Sequence, residues 1–178
     1  DDVSGGTSYA IQIDSTAIQD QSGNSFSGIS DDTTYNITTP PLVTLSVDQT
    51  TISEASGVAT YTLTLKDSAG NTVTASSDIE VTLSFSGSAI SADYTLSSNI
   101  VSDAVTISSG QSSTTFTVTP VNDGQGDDSE TVIVDIASIV AGVESGSQSV
   151  TVTMLENQTP SSTDDSVTLN GTDPLVLS

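Results

Sequence analysis

Apolar residues alternate with threonine and serine along seven short stretches of this chain. They are 43–47, 59–65, 79–85, 104–108, 114–120, 131–136 and 149–155. In the second, Tyr61, Leu63 and Leu65 fall on one side and Thr60, Thr62 and Thr64 on the other. The same two-residue period groups Val81, Leu83 and Phe85, then Phe116 and Val118, then Val132, Val134 and Ile136, then Val150, Val152 and Met154. A period of two predicts strands with one buried face each. No heptad and no long apolar run interrupts the pattern, which excludes a coiled coil and a membrane-spanning helix.

About seven such strands fit two packed antiparallel sheets, so the predicted fold class is all-β, an Ig-like two-sheet sandwich. With only Tyr61, Phe85, Tyr94 and Phe116 as aromatics in this stretch, the core is expected to be mostly aliphatic. Pro-rich and Ser/Thr-rich joints, "TTPP" at 38–41 and "NQTPSSTDD" at 157–165, bound the sandwich. They divide the chain into 1–40, 41–158 and 159–178, with short β-segments at both ends of the sandwich. No internal repeat is evident.

Composition narrows the chemistry. The 178 residues carry 23 acids against one base, Lys66, with no His, Arg or Cys, for a net charge of −22. Nucleic acid and anionic membranes both require Lys and Arg, so neither is an expected partner. Without His and Cys there is no thiolate nucleophile, no disulfide and no basis for zinc or copper. Oxygen ligands are plentiful, which favours calcium or magnesium. Only carboxylate-pair catalysis is open to such a chain. Acidic loops of this kind are usually just solvated, so the expectation is no enzyme and no catalytic residues. The sequence begins in mid-pattern, without an initiator Met or a signal peptide, and reads as a piece of something longer.

Sequential antiparallel strands place alternate connections at alternate ends. The first, third and fifth connections and the exit of the last strand therefore share one end. That end collects Glu54, Asp93, the stretch "VNDGQGDDSETVIVDI" (121–136) and Glu156. The other end collects Lys66, Asp67, Asp78 and Glu144. Taken alone, 121–136 reads as a solvated hairpin around Asp123-Gly124 or as a cation site. The EF-hand spacing fails, because no Glu closes the loop. "GQGDD" is a single copy of a nonapeptide that needs tandem copies.

The ordered set "SEASGVATYTLTL", "SADYT", "VTISSGQSSTTFTVTPVNDGQGDDSETVIVDI" and "VTVTMLENQ" resembles the Calx-beta domain over 42–158. The resemblance implies the same sandwich, and it implies calcium (Ca2+) held in the loops at one end, as several members hold it. Carried over residue by residue, it implies the ligands Glu54, Asp93, Asp123, Asp127, Glu130 and Glu156. Asn122 stands where the first acidic pair would continue, and Asn157 and Gln158 replace a terminal acidic run, so fewer ions are implied than in a full cluster.

Residues 7–39 resemble the C-terminal part of a bacterial Ig-like domain: a Tyr-led strand, "IQDQSGN", then "TTYNITT". Residues 164–178, "DDSVTLNGTDPLVLS", resemble the start of a cadherin-like repeat. Asp14, Asp20, Asp31 and Asp32 are expected to be solvated or N-cap/turn residues rather than ligands. Such modules in series imply a secreted, extracellular protein of the bacterial cell surface, an adhesin or fibre, whose partners are neighbouring domains or identical subunits. The first segment is expected to leave an apolar face open around Tyr9, Ile11, Ile13 and Tyr35. The last offers Val167, Leu169, Leu175 and Leu177 as an exchange strand for head-to-tail assembly. The rival reading is a loop-based glycan- or protein-binding module without calcium dependence; the absence of Trp and of an aromatic-rich patch weighs against it.

Overall fold

A computed structural model describes residues 5–122 and 129–155. These residues form strands and turns, and no helix long and apolar enough to cross a membrane is present among them. The strands are β1 (Ser8–Ala10), β2 (Asn36–Thr38), β3 (Leu42–Val47), β4 (Thr51–Ser53), β5 (Ala59–Lys66) and β6 (Ile79–Gly87). They continue as β7 (Tyr94–Leu96), β8 (Ala104–Ile107), β9 (Ser113–Pro120), β10 (Glu130–Val140), β11 (Val143–Glu144) and β12 (Ser149–Leu155). One five-stranded sheet runs in the order β4-β12-β10-β6-β8, and a second in the order β11-β3-β5-β9-β7. The two enclose one core, and the all-β sandwich expected from the alternation is the observed fold.

The alternating positions supply that core. Tyr61, Leu63 and Leu65 meet Val81, Leu83, Phe116, Val118, Val132, Val134, Val152 and Met154, all buried. Tyr61 and Phe116 are directly opposed across β5 and β9, and their rings stack with centroids 5.0 Å apart. Phe85 and Tyr94 pack at its edge, so the interior is aliphatic around one aromatic pair.

Three short strands were not legible in the alternation, and each has the same origin. β3 and β4 both run toward the same end, β3 in one sheet and β4 in the other, where β4 lies parallel to β12. β7 runs antiparallel to β9 and β8 antiparallel to β6, so both descend from that end. β11 lies parallel to β3 and precedes β12, which ascends beside β10. Each short strand therefore prolongs the direction of a longer one across the core, a strand that changes sheets. Because direction is preserved, the alternation of connections between the two ends survives.

Ahead of the sandwich, residues 6–40 form a twisted two-stranded ribbon. β1 pairs with β2, and the pairing extends through Ile13 opposite Ile29 and Gln19 opposite Ser25. Its turns are closed by aspartates, as expected. Asp14 accepts from the Thr16 N–H, Asp20 from the N–H groups of Ser22 and Asn24, and Asp31 from those of Thr33 and Thr34. Side-chain hydrogen bonds from Thr16 to Asp14, Asn24 to Asp20 and Thr34 to Asp31, followed by these N–H groups, hold all three carboxyls below the usual range. The ribbon is tied to the near end of the sandwich: Ser68 N–H donates to the Gly5 carbonyl at 2.9 Å, and Gly6 N–H to that of Pro40 at 2.8 Å.

Candidate functional site

The far end of the sandwich is built from four pairs of strand termini. Val47, at the end of β3, lies opposite Tyr61, near the start of β5. Gly87, closing β6, lies opposite Val132 near the start of β10. Tyr94, opening β7, lies opposite Pro120, which closes β9. Leu155, closing β12, lies beside Ser53. The connections 48–58 and 88–93 therefore share this end, as do Val121 and Asn122 after β9, Ser129 before β10, and Leu155. Lys66, Asp67, Asp78 and Glu144 flank the strand termini of the opposite end, where the Lys66 ammonium donates to Thr72 Oγ1 at 2.9 Å.

Glu54 extends β4. Its N–H donates to the Leu155 carbonyl at 3.0 Å, so the β4–β12 ladder continues through it. Ile52, two residues earlier, is buried in the core. The period of two then sends Glu54 to the same inner side, and it is only 8% exposed. The next turn is closed by Gly57, whose N–H donates to the Ser53 carbonyl at 2.6 Å. A Cβ at Gly57 would collide with Ser53 and Ile52, which explains the Ser-Glu-x-x-Gly spacing. Among the described residues, no hydrogen bond or ion pair reaches the Glu54 carboxylate.

Glu130 opens β10 and stands opposite Met154, which in turn stands opposite Ile52. Directly opposed residues share a sheet face, so Glu130 begins the inward row that Val132, Val134 and Ile136 continue. Glu54 and Glu130 thus close the same end of the core from two strands that flank β12. Strand spacing sets Ile52 and Glu130 about 10 Å apart across the sheet, and Glu54 lies two residues beyond Ile52 toward the open end.

Asp93 precedes β7 on the opposite sheet. Its Oδ2 accepts from the Ile90 N–H at 2.6 Å, and its carbonyl accepts from the Val121 N–H at 2.8 Å. One carboxylate oxygen is therefore used to shape the 90–93 turn, and the backbone pins the exit of β9 to that turn. The third connection is clamped to β10 as well, because Ala89 N–H donates to the Thr131 carbonyl at 3.1 Å and Thr131 N–H to Ser88 Oγ at 2.9 Å.

Of the six implied ligands, Glu54, Asp93 and Glu130 are thus attached to the same end. Asp123, Asp127 and Glu156 lie outside the described residues. Among the described residues no three acids converge closely enough to hold a metal ion. Asp48 belongs to this end too and was not anticipated. Its carboxylate accepts the Thr60 N–H at 2.8 Å, which caps the start of β5 and lowers its pKa from the usual 3.8. Tyr94 lies behind Asp93; burial first, then the charges of Asp103 and Asp93, raise its phenol.

Oxygen-only donors on loops at the open end of a rigid sandwich suit a hard cation. Calcium takes six to eight oxygens at about 2.3–2.6 Å with tolerant geometry. An acid buried without a cationic partner is costly, and the one ammonium of the chain is at the other end.

No protein-family model matches the sequence, and a search of the curated proteins finds no match. Among solved structures, CBD12 from CALX1.2 aligns with a TM-score of 0.50 and 14% identity, over 65% of this chain and 44% of that one. This chain thus spans less than half of that structure. The apo-form Calx CBD1 domain aligns with a TM-score of 0.48 and 15% identity, over 66% of this chain and 99% of that domain. Domains 4 and 5 of the S-layer protein SbsC align with a TM-score of 0.36 and 22% identity, over 71% and 61%. At such identities the likeness speaks to fold alone, a sandwich of the Calx-beta type.

Proposed function

We propose that this chain is a non-catalytic structural module of a secreted bacterial surface adhesin or extracellular fibre. Calcium in the acidic loops stiffens one end of its sandwich. Residues 41–158 form the Calx-beta-like unit, 1–40 the closing part of an Ig-like domain, and 159–178 a linker with the first strand of a cadherin-like repeat or an exchange strand. The observation that carries the calcium reading is Glu54: a residue 8% exposed, on the inner side of the sandwich mouth, whose carboxylate has no hydrogen-bond or ionic partner among the described residues. The cation it calls for is held by Glu54, Glu130 and Asp93, the last through its free Oδ1, together with Asp123, Asp127 and Glu156 from the adjoining loops. Such an ion would neutralise the charge that otherwise pushes these connections apart, and so fix the angle at which the chain leaves β12. A charge of −22 on 178 residues is tolerable for a protein that works among divalent cations outside the cell.

Calorimetric titration with calcium at constant ionic strength tests the site. Saturable binding, weaker for magnesium because magnesium resists dehydration, supports it. Heats indistinguishable from those of dilution refute it.

A further inference from the structure

We propose that the apolar cleft of the N-terminal ribbon is a docking groove for residues 166–177 of a second copy of this chain, which joins copies head to tail. The inference rests on the fibre reading above. The cleft measures about 380 Å³ and is lined by Ile11, Ile13, Ile18, Phe26, Ile29 and Tyr35. Its lining carries no charge, in a chain with 23 acids. Ile18 is 52% exposed, Phe26 41% and Tyr35 57%, so these side chains lie on one face of a two-stranded ribbon with nothing over them among the described residues. Such a ribbon is marginal alone, and β1 and β2 have only each other as sheet neighbours. Each presents an outer edge to which a strand can add.

The occupant follows from complementarity and direction. Residues 166–178 read "SVTLNGTDPLVLS", with Val167 and Leu169, then Leu175 and Leu177, at the two-residue spacing that fills a one-sided groove. They contain a single acid, Asp173, so insertion brings little charge toward a highly anionic chain. The ribbon is fixed to the near end of the sandwich, through Gly5 and Ser68, whereas β12 leaves at the far end, beside Ser53. A tail that returned to its own ribbon would have to reverse and retrace the sandwich, roughly 30 Å for the nine residues of β6. A tail that meets the next copy's ribbon continues in the direction it already has. The two surfaces differ, so the contact is heterologous and propagates into an open chain of copies rather than a closed dimer.

Light scattering and electron microscopy of the 178-residue chain, with its 164–178 deletion, provide the test. Concentration-dependent linear oligomers are expected from the full chain, and monomers from the deletion. A labelled 164–178 peptide should bind the deletion protein saturably, at least tenfold more weakly when Phe26→Asp or Ile18→Asp is present. Both positions are exposed, so the variants should fold, and unchanged melting of the sandwich verifies this. A full chain that stays monomeric at all concentrations overturns the proposal. So do oligomers that persist after deletion, and so does peptide binding indifferent to both substitutions. Calcium titration reports on the opposite end, so a failure there leaves the assembly result standing, and the reverse also holds.

Discussion

The backbone of Glu54 is fastened to Leu155 by a 3.0 Å hydrogen bond, so the first acidic loop and the exit of the last strand move as one. Without a cation, the same contact holds an unneutralised acid at the mouth of the core.

Glu54→Gln separates these two roles by sign. In chelator the variant should be more stable than the parent, because a negative charge without a cationic partner is gone from the acidic end. In calcium it should be less stable, because a ligand is gone. Urea midpoints in both conditions check this. A variant destabilised equally in both would mean that Glu54 serves packing alone.

Tyr61 offers a second case of an unsatisfied polar group. Its hydroxyl is buried without a hydrogen-bond partner, and burial first, with a smaller contribution from Tyr94, raises its pKa above the usual 10.0. Tyr61→Phe keeps the stack on Phe116 and removes the orphan hydroxyl, so it should stabilise by about 1 kcal/mol. The linkage sign follows from the raised folded value. The stabilising contribution of neutral Tyr61 is complete below 10.0 and is lost as pH rises beyond it. Alkaline unfolding should accordingly move to higher pH in Tyr61→Phe. A loss of stability at neutral pH would show that the hydroxyl has a partner.

Gly87 ends β6 at φ 122°, and a Cβ there would run into the Thr131 carbonyl. Gly70 has φ 85° with open space around it. Gly87→Ala should therefore cost about 3 kcal/mol or more through strain and collision, and Gly70→Ala about 1 kcal/mol. Chemical denaturation of the two variants measures the difference; equal losses would contradict the close clamp between the third connection and β10.

The long strands were legible because each has three or more inward residues at a period of two. β4 has one, Ile52, and β7 and β11 span three and two residues, too few for any period to emerge. β10 runs to Val140, beyond the expected 136, because an irregularity between Ile136 and Ser138 shifts the register and breaks the alternation there. The placement of Glu54, Asp93 and Glu130 at one end survived these omissions, since the short strands preserve direction when they change sheets. Glu54's inward position was readable from Ile52 two residues earlier. Asp48's role as a cap for Thr60 was not, because the partner lies twelve residues away on another strand. In the ribbon, Tyr9, Ile11, Ile13 and Tyr35 were expected to form the open face. Ile11, Ile13 and Tyr35 line the cleft, joined by Ile18, Phe26 and Ile29, which pair across the ribbon at or beside isolated bridges too short for any alternation to mark them.

Thermal melting with calcium and with chelator, in high sodium chloride at constant ionic strength, decides whether calcium stiffens the far end of the sandwich. A ligand at about 100 times its dissociation constant adds about 2.7 kcal/mol, so calcium should raise the Tm by several degrees. Asp127→Ala should remove most of that rise, and Asp67→Ala, at the opposite end, should leave it intact. A Tm indifferent to calcium, or a rise that both variants retain, would contradict a calcium-stiffened end.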